Sequence, residues 1–150
     1  MKATAHPRRS VPCPEEAAYV ELLRTADLLS RAPAQLLKIE ELSSTQYNVL
    51  RILRGTREGL LCGEVAARMI SRDPDITRLL DRLEKRGLIA RSRQDRDRRM
   101  VLARITDDGL ALLERLDEPV QEVHRRQLGH LGQKRLRELM SILTAARESI

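Results

Sequence analysis

The chain has two aromatic side chains in 150 residues, Tyr19 and Tyr47, and neither Phe nor Trp. Aromatic rings dominate the energetics of most protein cores, so any core here must be built from Leu, Ile, Val, Ala and Met. Leucine repeated at helical spacing does this directly, because positions i, i+3, i+4 and i+7 share one face of a helix. A mainly α-helical fold is therefore expected. The length fits one domain, or one domain with a dimerisation arm. No apolar run approaches the roughly 20 residues that span a bilayer, and the first residues do not resemble a signal peptide. The expected setting is the cytoplasm, with no membrane partner. Cys13 and Cys62 are the only cysteines. They lie far apart and form no CxxC pair, which in that compartment reads as two reduced thiols.

Residues 1–13, rich in Pro and Arg, read as a flexible arm. Pro14 suits the first position of a helix, and Glu15 and Glu16 suit its positive end. The apolar face of that helix is Tyr19, Val20, Leu22, Leu23, Ala26 and Leu29. Pro33 is expected to end or bend it, with a short amphipathic piece following from Ala34 to Leu42. Ser43 with Gln46 three residues on forms a capping box for a second helix, whose inner face is Tyr47, Leu50 and Leu53. A short helix is expected from Gly63 to Met69. The next has Asp73 as N-cap, Pro74 at its first position and Ile76, Leu79, Leu80 and Leu83 facing inward, and it stops at Gly87. Its opposite face carries Arg78, Asp81, Arg82 and Lys85.

The period then changes from helical to alternating. Leu88 to Arg93 and Met100 to Ile105 read as two short strands around a charged tip, Gln94 to Arg99. Thr106 caps a long helix that runs toward Leu128 and is interrupted by Pro119. A loop at Gly129 to Gly132 leads to a last helix bearing Leu136, Leu139, Met140 and Leu143. The helices from Pro14 to Arg31 and from Thr106 to Ile150 carry more leucine than a small lobe can cover, which points to a homodimer.

The net charge is +6, and an excess of five positive charges falls between Arg72 and Arg104. Ion pairs along the helix surface, such as Arg78 with Asp81, are worth only tenths of a kcal/mol. They leave unexplained six arginines in the fourteen residues from Arg91 to Arg104. Two short helices followed by a basic hairpin form a unit that fits double-stranded DNA: the second helix enters the major groove with its N-terminal residues on base edges. The candidates there are Arg72, Asp75, Thr77, Arg78 and Arg82. Arg offers two hydrogen bonds to guanine, and Asp or Thr can address cytosine or thymine. The hairpin supplies Arg96, Asp97, Arg98 and Arg99, and an Arg-rich tip suits the negative potential of the minor groove. The fold expected is thus mainly α with a small β-wing: a winged helix-turn-helix lobe over 43–105, flanked by dimerisation helices over 14–42 and 106–150.

The stretch from Leu42 to Gly109 resembles the MarR family of transcriptional regulators. The resemblance is carried by Leu42 to Leu50 (LSSTQYNVL), Glu64-Val65-Ala66 and Asp75 to Ile89 (DITRLLDRLEKRGLI). It continues through Asp95 to Arg99 (DRDRR) and Ile105 to Gly109 (ITDDG). It implies a triangular dimer whose N- and C-terminal helices interlock and whose two lobes face a pseudo-palindromic operator. It implies that Asp97 and Arg99 brace and present the wing. It also implies a repressor released by a small anionic aromatic effector bound between the dimerisation helices and the lobe. One departure is Leu60-Leu61-Cys62-Gly63, where relatives often carry Ser or Thr for a phosphate contact.

Nothing in the chain suggests an enzyme, a cofactor or a metal site. His124 and His130 are spaced wrongly for a shared helical face, and there is no Gly-rich phosphate loop. Two other readings stay open. One is a thiol-based redox sensor using Cys13 or Cys62, since a helix N-terminus and nearby Arg can lower a thiol pKa. The other is a winged-helix module whose basic face takes a protein partner.

Overall fold

The computed structural model describes residues 13–71, 75–94, 97, 99–148 and 150. The chain divides into two compact units, 1–31 and 32–150. The described part of the first is the start of helix α1 (Pro14–Ile39), in which Tyr19, Leu22, Leu23 and Leu28 are exposed. The second contains the remainder of α1, then α2 (Ser44–Arg54), β1 (Leu60–Leu61), α3 (Cys62–Arg68) and α4 (Ile76–Lys85). It continues with β2 (Ile89–Arg93), β3 (Val101–Ile105), α5 (Asp107–Leu128), a 3-10 turn (Gly129–Leu131) and α6 (Gly132–Glu148).

Three expectations are corrected. Neither interior proline breaks its helix: α5 runs unbroken through Pro119 to Leu128, and Pro33 neither ends α1 nor separates a second piece, for that helix runs through it to Ile39. Proline costs a helix one N–H donor, but the turn beyond it brings Leu37 into the core and Leu36 against it. The described N-cap of the fourth helix is Asp75, not Asp73, with the helix beginning at Ile76. Asp73 and Pro74 themselves lie outside the described residues. The third correction is an extra strand: Leu60 and Leu61 pair antiparallel with Ala103 and Leu102, so the sheet has three strands in the order β1-β3-β2. Two residues are too few to show an alternating pattern in sequence.

Elsewhere the local signals act as read. The Ser43 hydroxyl accepts the Gln46 N–H at 3.1 Å, and the Gln46 carbonyl oxygen accepts the Ser43 N–H at 2.9 Å. β2 and β3 are antiparallel, with Ile89 opposite Ile105 and Arg93 opposite Val101. Thr106 caps α5 by accepting the Gly109 N–H at 3.2 Å and donates its own hydroxyl to the Gly87 carbonyl at 2.6 Å.

The core is wholly aliphatic. Leu50 and Leu53 of α2, Leu80 and Leu83 of α4, Ile89 of β2 and Leu113 of α5 are fully buried. Burying one such side chain is worth about 1.5–3 kcal/mol. Tyr47 only packs against this cluster, with the Arg51 guanidinium 5.8 Å from its ring centroid. Burial ends at Val120 in α5, and no described residue of α6 is buried.

The turn between α1 and α2 is tight. The N–H of Leu42 reaches back to the Leu37 carbonyl at 3.0 Å and that of Glu41 to Lys38 at 3.0 Å. This is a Schellman ending, whose left-handed position usually holds glycine. Here Glu41 occupies it at φ 53, at a cost of about 1 kcal/mol.

Two glycines make opposite demands. A Cβ on Gly109 would lie 2.3 Å from the Leu88 carbonyl oxygen and 2.7 Å from Ile105 Cγ1, where backbone cannot yield. A Cβ on Gly63 would meet nothing within 4 Å. Gly109→Ala is therefore expected to lower the unfolding free energy by about 2–4 kcal/mol. Gly63→Ala is expected to stay within about 1 kcal/mol of the parent, on the stabilising side. Urea unfolding of both variants checks this; equal stabilities would contradict the packing around α5.

Candidate nucleic-acid interface

The exposed face of α4 is made by what its other face buries. Leu79, Leu80 and Leu83 are in the core, which leaves Thr77, Arg78 and Arg82 in solvent. The helix starts at Asp75, whose carboxylate accepts the Arg78 N–H at 3.0 Å and lies 3.3 Å from Arg78 Nε. Asp75, read from sequence as a base-reading side chain, thus acts here as the helix cap. The turn before α4 is anchored from α2, since Asn48 Oδ1 accepts the Ile70 N–H at 2.9 Å. Arg72 lies outside the described residues, as do Arg96 and Arg98 of the hairpin tip.

At the base of that tip, Asp97 Oδ1 accepts the Arg99 N–H at 2.9 Å and the Asp97 carbonyl accepts the Met100 N–H at 2.9 Å. The Gln94 N–H then donates to Met100 at 3.0 Å, which closes the hairpin. Arg99 and Asp97 are both exposed.

Several arginines of the basic stretch are committed within the fold. Arg91 on β2 is the clearest case: its side chain is only 19% exposed. Its Nε donates to Glu84 Oε2 at 3.0 Å, its Nη2 to Glu84 Oε2 at 2.6 Å, and its N–H to Glu84 Oε1 at 3.0 Å. Nη2 also bonds Asp81. β2 is thereby fastened to α4, and Asp81 pairs with Arg91 rather than with Arg78. Arg104 donates from Nε to the Glu58 carbonyl at 2.6 Å. Sequence reading placed these side chains in the DNA footprint because partners 7, 10 or 46 positions away leave no local signal.

Between α3, the start of α4 and the wing lies a cleft of about 540 Å³ whose lining includes Cys62, Glu64, Thr77, Arg91 and Arg99. Cys62 is half-buried and donates its thiol to the Val101 carbonyl at 3.4 Å. Burial pushes this thiol above its ordinary value, and the nearby Arg91 charge offsets only part of that. Cys13 is exposed, immediately before α1. At the start of α3 no hydroxyl caps the helix; the Glu64 carboxylate accepts the Leu61 N–H at 2.9 Å instead. Among the described residues, no group of three or more His, Cys, Asp or Glu could hold a metal ion.

The Arg91 guanidinium holds the Glu84 carboxyl below its ordinary value. A carboxyl whose pKa falls on folding adds stability at neutral pH, and that stability is lost as pH drops through the folded pKa. The unfolding free energy should therefore fall more steeply between about pH 5 and pH 3 in the parent than in Glu84→Gln. Glu84→Gln should be the less stable protein at neutral pH, and the two curves should converge in acid. Denaturant titrations across that range check this, and parallel curves would remove Glu84 from the acid response.

Comparison with known proteins matches the MarR family model to residues 42–101. A MarR transcription factor from Planctomyces limnophilus is 42% identical; the match covers 91% of this chain and 99% of that one, with a TM-score of 0.70. The HTH-type transcriptional regulator PecS of Dickeya dadantii is 28% identical over 124 residues, 81% of this chain and 75% of PecS. The PcaV transcriptional regulator of Streptomyces coelicolor, solved in complex with its natural ligand, is 26% identical. That match covers 99% of this chain and 98% of PcaV, with a TM-score of 0.71.

Proposed function

The chain belongs to the MarR family of DNA-binding transcriptional regulators and is not an enzyme, and from that premise we propose that it is a homodimeric repressor of a pseudo-palindromic operator. The observation that carries the reading is the solvent face of α4, where Thr77, Arg78 and Arg82 stand exposed on a helix whose inner face is locked into the core. In this reading the N-terminal half of α4 contacts base edges in the major groove. Arg99, with Arg96 and Arg98, addresses the minor groove from the wing, and Asp97 shapes that tip.

The dimer reading is supported by apolar surface that the single chain leaves uncovered. Leu139, Met140 and Ile142 of α6 are exposed, as are Tyr19, Leu23 and Leu28 of α1. Residues 14–42 and 106–150 then serve dimerisation and 43–105 serve DNA. Two recognition helices set about 34 Å apart meet successive turns of the same DNA face. Among the described residues no helix is long and apolar enough to cross a membrane, which fits a regulator at work in the cytoplasm.

Release by a small anionic aromatic ligand completes the reading, supported by PcaV, which has been solved with its natural ligand. The cleft beside Thr77, about 540 Å³ and lined by Arg99, Met100 and Val101 as well as by Glu64 and the carboxylate-paired Arg91, is large enough for such a ligand, although it lies in the lobe and not between lobe and dimerisation helices. A ligand releases DNA only through higher affinity for the DNA-incompetent state. The thiol alternative is disfavoured at Cys62, because burial raises the thiol pKa and so reduces the reactive thiolate.

Selection of bound duplexes from a random pool tests the DNA reading, and a failure to enrich any sequence would favour a protein-interaction module. On the selected operator, Arg78→Ala is expected to cost about 1–3 kcal/mol and to relax base preference. Arg99→Ala should weaken operator and random DNA alike, with a shallower salt dependence. Equal losses on both DNAs for Arg78→Ala would limit that residue to a phosphate contact. For release, phenolic acids should dissociate the operator complex equally in the parent, Cys13→Ser and Cys62→Ser, and peroxide should not. Peroxide release that vanishes in Cys13→Ser would replace the ligand by a thiol switch.

A further inference from the structure

One side chain joins the end of the recognition helix to the turn between α1 and α2. Arg86 is the C-cap of α4. Its Nη1 donates to the Glu41 carbonyl at 2.7 Å and its Nη2 to the Glu40 carbonyl at 2.9 Å. Carbonyls at a helix end have no intrahelical donors, and here a guanidinium 45 and 46 positions along the chain supplies them. Glu41 is the left-handed residue at φ 53, so the fork also secures a turn that its own sequence does not favour. The Glu40 carboxylate lies 3.4 Å from Arg115 Nη2 on α5. The end of α4, the α1–α2 turn and α5 are therefore linked in series.

We propose that Arg86 is a specificity-determining positioning residue: its fork fixes the orientation of α4 relative to α5, and thereby the half-site spacing that the dimer accepts. The inference rests on the homodimer reading above. Leucine packing is non-directional, so Leu80 and Leu83 alone do not fix the tilt of α4, and the Arg91 bonds to Glu84 and Asp81 tie that helix to β2 rather than toward α5. A planar guanidinium with two nitrogens on two consecutive carbonyls does fix an orientation. Arg86 lies eleven residues beyond Asp75, about 16 Å along the helix axis, so small movements at this end are levered to the base-reading end. Arg86 is exposed like Arg78 and Arg82, but both of its terminal nitrogens are occupied by main-chain carbonyls of another element.

The test uses the full-length protein and the operator selected by the parent. It compares that operator with versions carrying one base pair more or less between half-sites, and with an isolated half-site. The parent should discriminate against altered spacing by about tenfold or more, comparable to the loss from one mismatched base pair. Arg86→Ala should bind the half-site as the parent does and lose about threefold on the native operator, the scale of one net hydrogen bond. Its discrimination between spacings should shrink to about twofold, again within hydrogen-bond scale. Arg86→Lys, a point charge that cannot fork, should fall between the two. A dimeric Arg86→Ala that keeps the parent's spacing discrimination overturns the role of Arg86 alone. Equal losses on half-site and full operator overturn it in favour of a direct phosphate contact or a folding defect. A monomeric parent by light scattering overturns the dimer reading, and this proposal with it.

Discussion

The constraint on which the rest of the structure depends is a core without rings. Twelve of the seventeen buried apolar residues in the described chain are leucine, and none is aromatic. Leucine burial is worth as much per area as any other apolar burial, but it is directionless. Such a core holds helices together while saying little about their relative angles. Many of the directional side-chain bonds between elements come from arginine. Arg91 fastens β2 to α4, Arg54 bonds both carboxylate oxygens of Asp117 and joins α2 to α5, and Arg104 ties β3 to the loop before β1. Each bond adds a fixed direction to contacts that are otherwise apolar packing or, for β1 and β3, a strand ladder.

This division of labour changes the meaning of the basic stretch. The positive charge between Arg72 and Arg104 looks from sequence like one continuous DNA footprint. In the structure it separates into two populations. Arg86, Arg91 and Arg104 donate to partners in other elements of the lobe, with only Arg91 largely buried, whereas Thr77, Arg78, Arg82 and Arg99 stand exposed with no such tie between elements among the described residues. The first group ties together the elements that carry the second. A count of positive charge overstates direct contacts and understates geometry.

What was legible in the sequence was local. The Ser43–Gln46 capping box, the Thr106 cap, the leucine face of α4 and the alternation of β2 and β3 all depend on residues within a few positions of one another. What was not legible depended on distant partners. Strand β1 exists because Leu60 and Leu61 find β3 some forty residues later, and Pro33 stays helical because Leu37 beyond it finds the core. The cap at Asp75 was missed for another reason. Asp73 followed by Pro74 makes an equally good local signal, and local rules cannot rank two good caps. In the candidate site, the exposed residues were legible as a face of α4; the commitment of Arg91 to Glu84 was not.

The fork from Arg86 to the carbonyls of Glu40 and Glu41 differs in kind from the ion pair between Arg91 and Glu84. A carboxylate partner can be protonated or replaced. A main-chain carbonyl is supplied by every amino acid and does not titrate. The information in this contact is therefore held at a single codon: substitution at position 40 or 41 leaves the acceptors in place, whereas substitution at position 86 removes the bond. A search for compensating changes between the two ends would find a silent partner. Within a lineage, the tie between α4 and the α1–α2 turn can be lost or regained in one mutational step, with no matching change at its other end.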